Sequence, residues 1–283
     1  MLVEQWIQAW QMDWQEQEDA KTGEAGNLLL GARQTYEANG EPQLYAEFVK
    51  SCMDKKIADG GFVFSKEAKD NFVNIHSGRT LFFLHAMTGE EKYLHAIEAL
   101  MDVLRRLPRN ERGVFAVDVQ EDWETSVKNL AFVLPFYMEY ETTFDKKEKY
   151  NDIISQVEQM YDNFTKLPEI PSEESIGNCL AMLVDVMEHT SIEIYEQYRK
   201  LQDIFKAVLK KCLAAYGQKD CRVIYAVLKA CRMGILLKEK YATDAVEAFD
   251  WRIRHGKEDG APSDGFYVMD AAQESMLKRE MEA

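Results

Sequence analysis

The sequence predicts an all-α fold built from about six helical hairpins, and three observations carry that prediction. Prolines and glycines are few, 6 and 15 in 283 residues, and most stand between long stretches whose apolar residues recur at helical spacing. A turn that leads into a tyrosine recurs as GEPQLYAEF, GEEKYLHAI, KKEKYNDII, IEIYEQYRK and KEKYATDAV, with Tyr45, Tyr93, Tyr150, Tyr195 and Tyr241 separated by 48, 57, 45 and 46 residues. The helix before each turn is apolar (GRTLFFLHAM, NLAFVLPFYM, GNCLAMLVDV), whereas the helix after it is richer in charge (KKEKYNDIISQVEQMYDNF). A period of that size marks stacked hairpins that cannot bury their apolar faces alone, either as an open solenoid or as a closed ring.

The elements follow in order. Trp6, Trp10 and Trp14 repeat every fourth residue and share one face of a first helix, read either as a buried stripe or as a sugar-stacking platform. Further helices are expected at 25–39, 42–57, 75–88, 90–107, 124–143, 147–166, 174–188, 191–216, 220–237, 241–252 and 266–281. GFVF at 61–64 and VFAVDV at 114–119 each read as a short strand within a loop. The whole chain, 1–283, reads as one domain, with 253–283 forming a C-terminal loop and helix. Apolar helices inside and amphipathic ones outside explain the alternation. The long connections at 19–26, 58–75, 108–124, 167–176 and 253–265 would then open on one end, placing a site at the N-terminal ends of the inner helices.

Charge and composition exclude several functions. With 34 Lys+Arg against 49 Asp+Glu the chain carries −15, and no basic block offers a nucleic-acid surface. No apolar run approaches the ~20 residues of a membrane span. The N-terminus carries acids where a signal peptide has a basic head, so a cytoplasmic protein is expected. Cys52, Cys179, Cys212, Cys221 and Cys231 form no CxxC pair, which argues against disulfides and zinc. Metal constellations, a Gly-rich phosphate loop and a GxSxG elbow are all missing from the sequence, so no metal or cofactor is expected.

The stretch NIHSGRTLFFLHAMTGEEKYLHAIEAL, followed by LPRNERGVF, LPFYMEY, GNCLAMLVDVMEH and YAVLKACRMGILLKEKY, resembles glycoside hydrolase families 88 and 105 over roughly residues 20–250. The resemblance implies a closed barrel of six hairpins, the (α/α)6 toroid. It also implies hydration of the vinyl ether of a small unsaturated uronyl oligosaccharide, with an aspartate delivering the proton and activating water. The alternative is a family member that has lost catalysis and serves as a sugar-binding or protein-interaction module. Three family motifs depart from their pattern. An ungapped match puts Val73 where the first acid is expected, and Lys128 or Thr125 where the second is, while the sugar-contacting stretch is matched only at Gly177.

Candidate residues gather at the expected end. Proton transfer to a sugar needs a carboxyl group with a tuned pKa. The loop DVQEDWE offers Asp122 and Glu124 beside Trp123, either as acids next to an aromatic platform or as acids capping a helix. Asp70, Asn74 and His76 lie on the connection into the helix from 75, with His76 read as a proton carrier or as a hydrogen-bonded structural residue. Glu24 and Asn178 stand at two other inner-helix entrances, as candidate substrate contacts. A uronate carboxylate needs a guanidinium, and Arg79, Arg109 and Arg112 are the choices near the mouth.

Overall fold

The computed structural model describes residues 23–39, 43–58, 62, 64–118, 120–145, 147–255 and 265–282. Twelve helices run through these residues: α1 (Gly23–Asn39), α2 (Gln43–Ala58), α3 (Ala68–Gly78), α4 (Thr80–Thr88), α5 (Glu91–Arg105), α6 (Trp123–Thr143), α7 (Tyr150–Thr165), α8 (Glu173–His189), α9 (Tyr195–Ala215), α10 (Cys221–Arg232), α11 (Lys238–His255) and α12 (Phe266–Glu282). The stripe of Trp6, Trp10 and Trp14 lies outside the described residues. Of the two expected strands, the stretch at 114–119 makes a single isolated bridge, Phe115 to Arg109, and no strand forms among the described residues.

The helices form the toroid. α3 and α4 are two halves of one rod, so six rods surround a common axis: α1, α3–α4, α6, α8, α10 and α12. Each packs on the next and α12 packs back on α1, closing the ring. Helices α2, α5, α7, α9 and α11 pack outside the rods they follow. Burial follows position. In α8 the chain is buried on all sides from Ile176 to Met187 except at Asn178. The outer α7 buries one stripe, including Tyr150, Ile153, Ile154, Val157, Met160 and Phe164.

The tyrosine turns sit together at one end. Gly89 closes α4 in the left-handed region (φ 67°), where its N–H donates to His85 O at 2.8 Å and ends the helix cleanly. Tyr45, Tyr93 and Tyr150 are buried at the starts of α2, α5 and α7. The Tyr93 hydroxyl donates to Asp54 at 2.6 Å, and Tyr150 Oη accepts the Ser191 N–H at 3.0 Å. Tyr195 is exposed, so there the repeat marks the turn without packing it.

The second rod starts at residue 68 rather than 75. Phe72, Val73 and Ile75 are all buried, which extends the apolar face by two turns. Asn71 holds the preceding segment against the helix: its Oδ1 accepts Ser65 N–H at 2.8 Å and its Nδ2 donates to Ser65 O at 2.9 Å. The polar spelling EAKDN hid this face. The rod breaks at Arg79, where the Ser77 and Thr80 hydroxyls donate to the carbonyls of Val73 and Ser77 and compete with the helical amides.

Candidate functional site

The loop end is tied by a repeated device. Asp122, Ser172 and Asp220 cap α6, α8 and α10, each side chain accepting a backbone N–H two or three residues on. Two first-turn glutamates then reach across to the next rod. Glu124 Oε1 accepts the Ser172 N–H at 2.9 Å, and Glu173 Oε1 accepts the Asp220 N–H at 2.9 Å. The Thr125 amide holds the Asp122 carboxyl below its ordinary range, so it is ionised near neutrality.

The other residues read from the sequence are placed as follows. Trp123 is buried against the outer helix α7: its Nε1 donates to Met160 O at 3.0 Å and its ring lies 5.2 Å from that of Phe164. Arg109 forms a two-pronged pair with Asp152, both bonds 2.7 Å, with its guanidinium 4.0 Å over Phe115. Arg112 donates to Asn163 at 3.4 Å. Both arginines therefore pair with α7, an outer helix. Asp122 and Trp123 also border an open pocket of about 300 Å³ on that flank, shared with Asn110, Asn163 and Lys166.

Asp70 is half-buried in the first turn of α3 and accepts the Ser65 hydroxyl at 3.1 Å. Asn74, one turn further, is half-buried. His76 is buried, stacked on Phe132 with ring centroids 4.7 Å apart, and its Nε2 meets Asn27 Oδ1 at 2.8 Å. Gly26 makes room for it, since a Cβ there would come within 2.2 Å of His76 Cδ2. Burial, aided by the Arg79 charge, pushes the imidazole down to about 3, so it is neutral near pH 7. Glu24 lies in the first turn of α1, its side chain outside the described residues. Asn178 is half-buried at the start of α8. Beside it Arg222, a loop-end cation that the sequence reading passed over, pairs with Glu174 and Asp220 and lies 5.4 Å from the Phe266 ring. Among the described residues no hydrogen bond or ion pair joins Asp70 or His76 to Asp122 or Glu124.

Arg79 belongs to a different assembly, a polar network on the ring axis that all six rods share. Its Nη2 donates to Asp185 Oδ2 at 2.7 Å; Asp185 Oδ1 accepts from Lys229 Nζ at 2.6 Å and from the Tyr225 hydroxyl at 2.7 Å. Lys229 also pairs with Glu188 at 2.7 Å, and Arg232 with Glu188 at 3.1 Å. Gln34 donates to the Tyr225 hydroxyl and accepts from Gln273, which in turn accepts from Arg232. Arg33 approaches Glu139 to 3.8 Å, and His189 approaches it to 3.4 Å. Burial works to raise the Asp185 carboxyl, but the Lys229 and Arg79 charges overcome it and hold it well below the carboxylate range. The sequence did carry a signal for these residues. Asp185 in CLAMLVDVM and Lys229 in YAVLKAC are lone charges inside apolar inner helices, which must pair if buried.

Above this network, at the turn end, the ring opens into a cavity of about 250 Å³. Arg33, Gln34, Glu37, Glu188, Arg232 and Gln273 line it, together with Arg79, His189, Leu30 and Met276. Among the described residues no group of three or more His, Cys, Asp or Glu is disposed to hold a metal ion, and no helix is long and apolar enough to cross a membrane.

A closed ring of six rods, with outer helices packed around it, defines the (α/α)6 toroid class. Residues 3–169 match Glycosyl Hydrolase Family 88, and the chain belongs to that family. Solved structures agree on the fold. A glycoside hydrolase from family 105 of C. acetobutylicum ATCC 824 superposes with a TM-score of 0.73 at 17% identity, covering 99% of this chain and 98% of that one. A polysaccharide lyase superposes with a TM-score of 0.72 at 12% identity, covering 100% and 97%. Family membership makes the chain glycosidase-like.

Proposed function

We propose that the chain hydrolyses small unsaturated uronyl oligosaccharides at the loop end of the ring, by acid–base hydration of the vinyl ether. The observation that carries this reading is membership of Glycosyl Hydrolase Family 88, joined to the acid Asp70 near the start of an inner rod. Of the three candidate carboxylates, Asp122 and Glu124 already accept backbone amides. Asp70 accepts a serine hydroxyl and takes no part in the rod-to-rod tie. Asp70 would deliver the proton to the alkene carbon and, as the resulting carboxylate, take a proton from the water that adds to the neighbouring carbon; the hydrated ring opens and releases the adjoining sugar. His76, neutral and held by Asn27, would act as a positioning residue. Arg222 is the loop-end cation for the uronate carboxylate, with Asn74 and Asn178 as contacts for hydroxyl groups.

One observation favours a second reading, a sugar-binding member without turnover: Asp122 and Glu124 repeat the capping and tying roles of Asp220 and Glu173 on the neighbouring rods. A single assay separates the two. Unsaturated uronyl disaccharide is supplied and the absorbance of its conjugated double bond is followed. Turnover that falls by about 10²-fold or more in Asp70→Asn supports the hydrolase. Disaccharide binding without turnover in the wild-type protein supports the second reading, and turnover unchanged in Asp70→Asn removes Asp70 from the reaction.

A further inference from the structure

The cavity at the turn end lies at the opposite end of the ring from the family's loop-end chemistry, and its walls have a distinctive charge economy. The charged side chains that line it, together with those ion-paired to them, comprise Arg33, Arg79, Lys229 and Arg232 against Glu37, Glu139, Asp185 and Glu188, and the lining His189 is held below its ordinary pKa by burial and so is neutral near pH 7. Four cations meet four carboxylates. Moreover, the charges are already matched within the wall: Arg33 with Glu37 at 2.9 Å, Arg232 with Glu188 at 3.1 Å and Arg79 with Asp185 at 2.7 Å. A charged ligand group would have to displace one of these pairs and leave its partner uncompensated, which is costly where the groups are desolvated.

Hydrogen-bonding capacity nevertheless remains. Arg79 is nine-tenths buried or more, and its Nε has no hydrogen-bond partner. The site therefore offers an unmatched donor, Arg79 Nε, and the carboxylate oxygens of Glu37 and Glu188 as acceptors, with the formal charges already neutralised. A hydroxyl group, which donates and accepts at once without charge, suits both. The volume, about 250 Å³, falls at or just below the small end of ligand pockets, ~300 Å³, and so suits a single ring rather than a chain.

We propose that the turn-end cavity is a binding site for one neutral, polyhydroxylated ring, a monosaccharide, separate from the loop-end site. It does not rest on the hydrolytic reading, because its readout is binding and not turnover.

The test is calorimetric titration of the full chain with glucose, galactose and rhamnose, set beside glucuronate and glycine as an anion and a zwitterion. The expected result is saturable binding of at least one neutral sugar, with glucuronate and glycine weaker. Arg232→Gln and Glu37→Gln should each weaken it by about tenfold, the loss of a hydrogen bond to a charged group. Met276→Trp, which fills the cavity, should abolish it, and Asp70→Asn should leave it unchanged. Should Arg232→Gln not fold, Glu37→Gln and Met276→Trp decide alone. No binding of any neutral sugar, tighter binding of glucuronate or glycine that Met276→Trp abolishes, or sugar binding that Met276→Trp leaves intact would overturn the proposal.

Discussion

Replacing Asp185 with Ala probes the axial network at its most connected point. The carboxylate is 3% exposed and accepts three short bonds, from Arg79 at 2.7 Å, Lys229 at 2.6 Å and Tyr225 at 2.7 Å. Removing one partner of a buried pair costs about 3–5 kcal/mol, because a charge is left uncompensated in a poorly solvated place. Here Arg79, itself 4% exposed, loses its carboxylate partner, while Lys229 keeps Glu188 at 2.7 Å. The expected loss for Asp185→Ala is therefore about 3–5 kcal/mol. Lys229→Met is different in kind. Asp185 keeps Arg79, and Glu188 keeps Arg232 at 3.1 Å, so no carboxylate is orphaned. Its cost should be about 1–3 kcal/mol, that of lost hydrogen bonds to a charged group. Adding Arg79→Met to Asp185→Ala removes the stranded cation and should recover about 1–2 kcal/mol rather than cost more. Urea unfolding at pH 7, followed by far-ultraviolet circular dichroism with the slope checked for constancy, measures all four proteins. Equal losses in Asp185→Ala and Lys229→Met, or a double variant no more stable than Asp185→Ala alone, would refute the reasoning.

Two further perturbations test the loop end. His76 is held neutral with a folded pKa of about 3, whereas an unfolded histidine takes up a proton near its ordinary 6.5. Below pH 6.5 the unfolded chain binds a proton the native one refuses, so stability falls with acidity, by up to about 1.4 kcal/mol per pH unit, until the folded pKa is reached. His189 is shifted in the same direction. Urea midpoints at pH 7, 6 and 5 should fall less steeply in His76→Gln than in the wild type, and parallel profiles would count against the assignment. Asp122→Ala should cost about 1 kcal/mol, the worth of an N-cap, and Glu124→Ala a loss matching that of Glu173→Ala, since the two make the same bond; a marked inequality of those two in thermal unfolding would show that Glu124 does something its counterpart does not.

The architecture was legible because it is written in many residues at once. The alternation of apolar and striped helices, with tyrosines opening the outer ones, follows from burial, and burial leaves a periodic trace. The start of α3 was not legible, because Lys69, Asp70 and Asn71 break the apolar pattern although Phe72, Val73 and Ile75 continue it. Trp123 shows a second limit. An indole in a run of acids reads equally well as a platform or as a core anchor, and only the position of Met160 O and Phe164 across from it decides. Arg79, Arg109 and Arg112 were read as cations for a substrate carboxylate, yet they have partners 106, 43 and 51 positions away, and sequence order alone does not reveal such pairing.

The axial network explains why an otherwise apolar ring keeps charges at its centre. Six rods packed side by side meet through apolar flanks that are non-directional, so a rod could shift along its neighbours by a turn and still bury its leucines and valines. Asp185, Lys229, Tyr225 and Arg79 cannot shift so, because each bond fixes both the height and the rotation of the rods that carry it. We read the network as a register device, the role in which buried polar groups are best attested. Its cost is desolvation, which the network meets by pairing Arg79, Asp185, Glu188 and Lys229 with opposite charges. The same matching leaves the upper surface of the network electrically neutral yet rich in N–H groups and lone pairs. The turn-end cavity opens onto that surface, so what aligns the rods also shapes the chemistry offered to a ligand there.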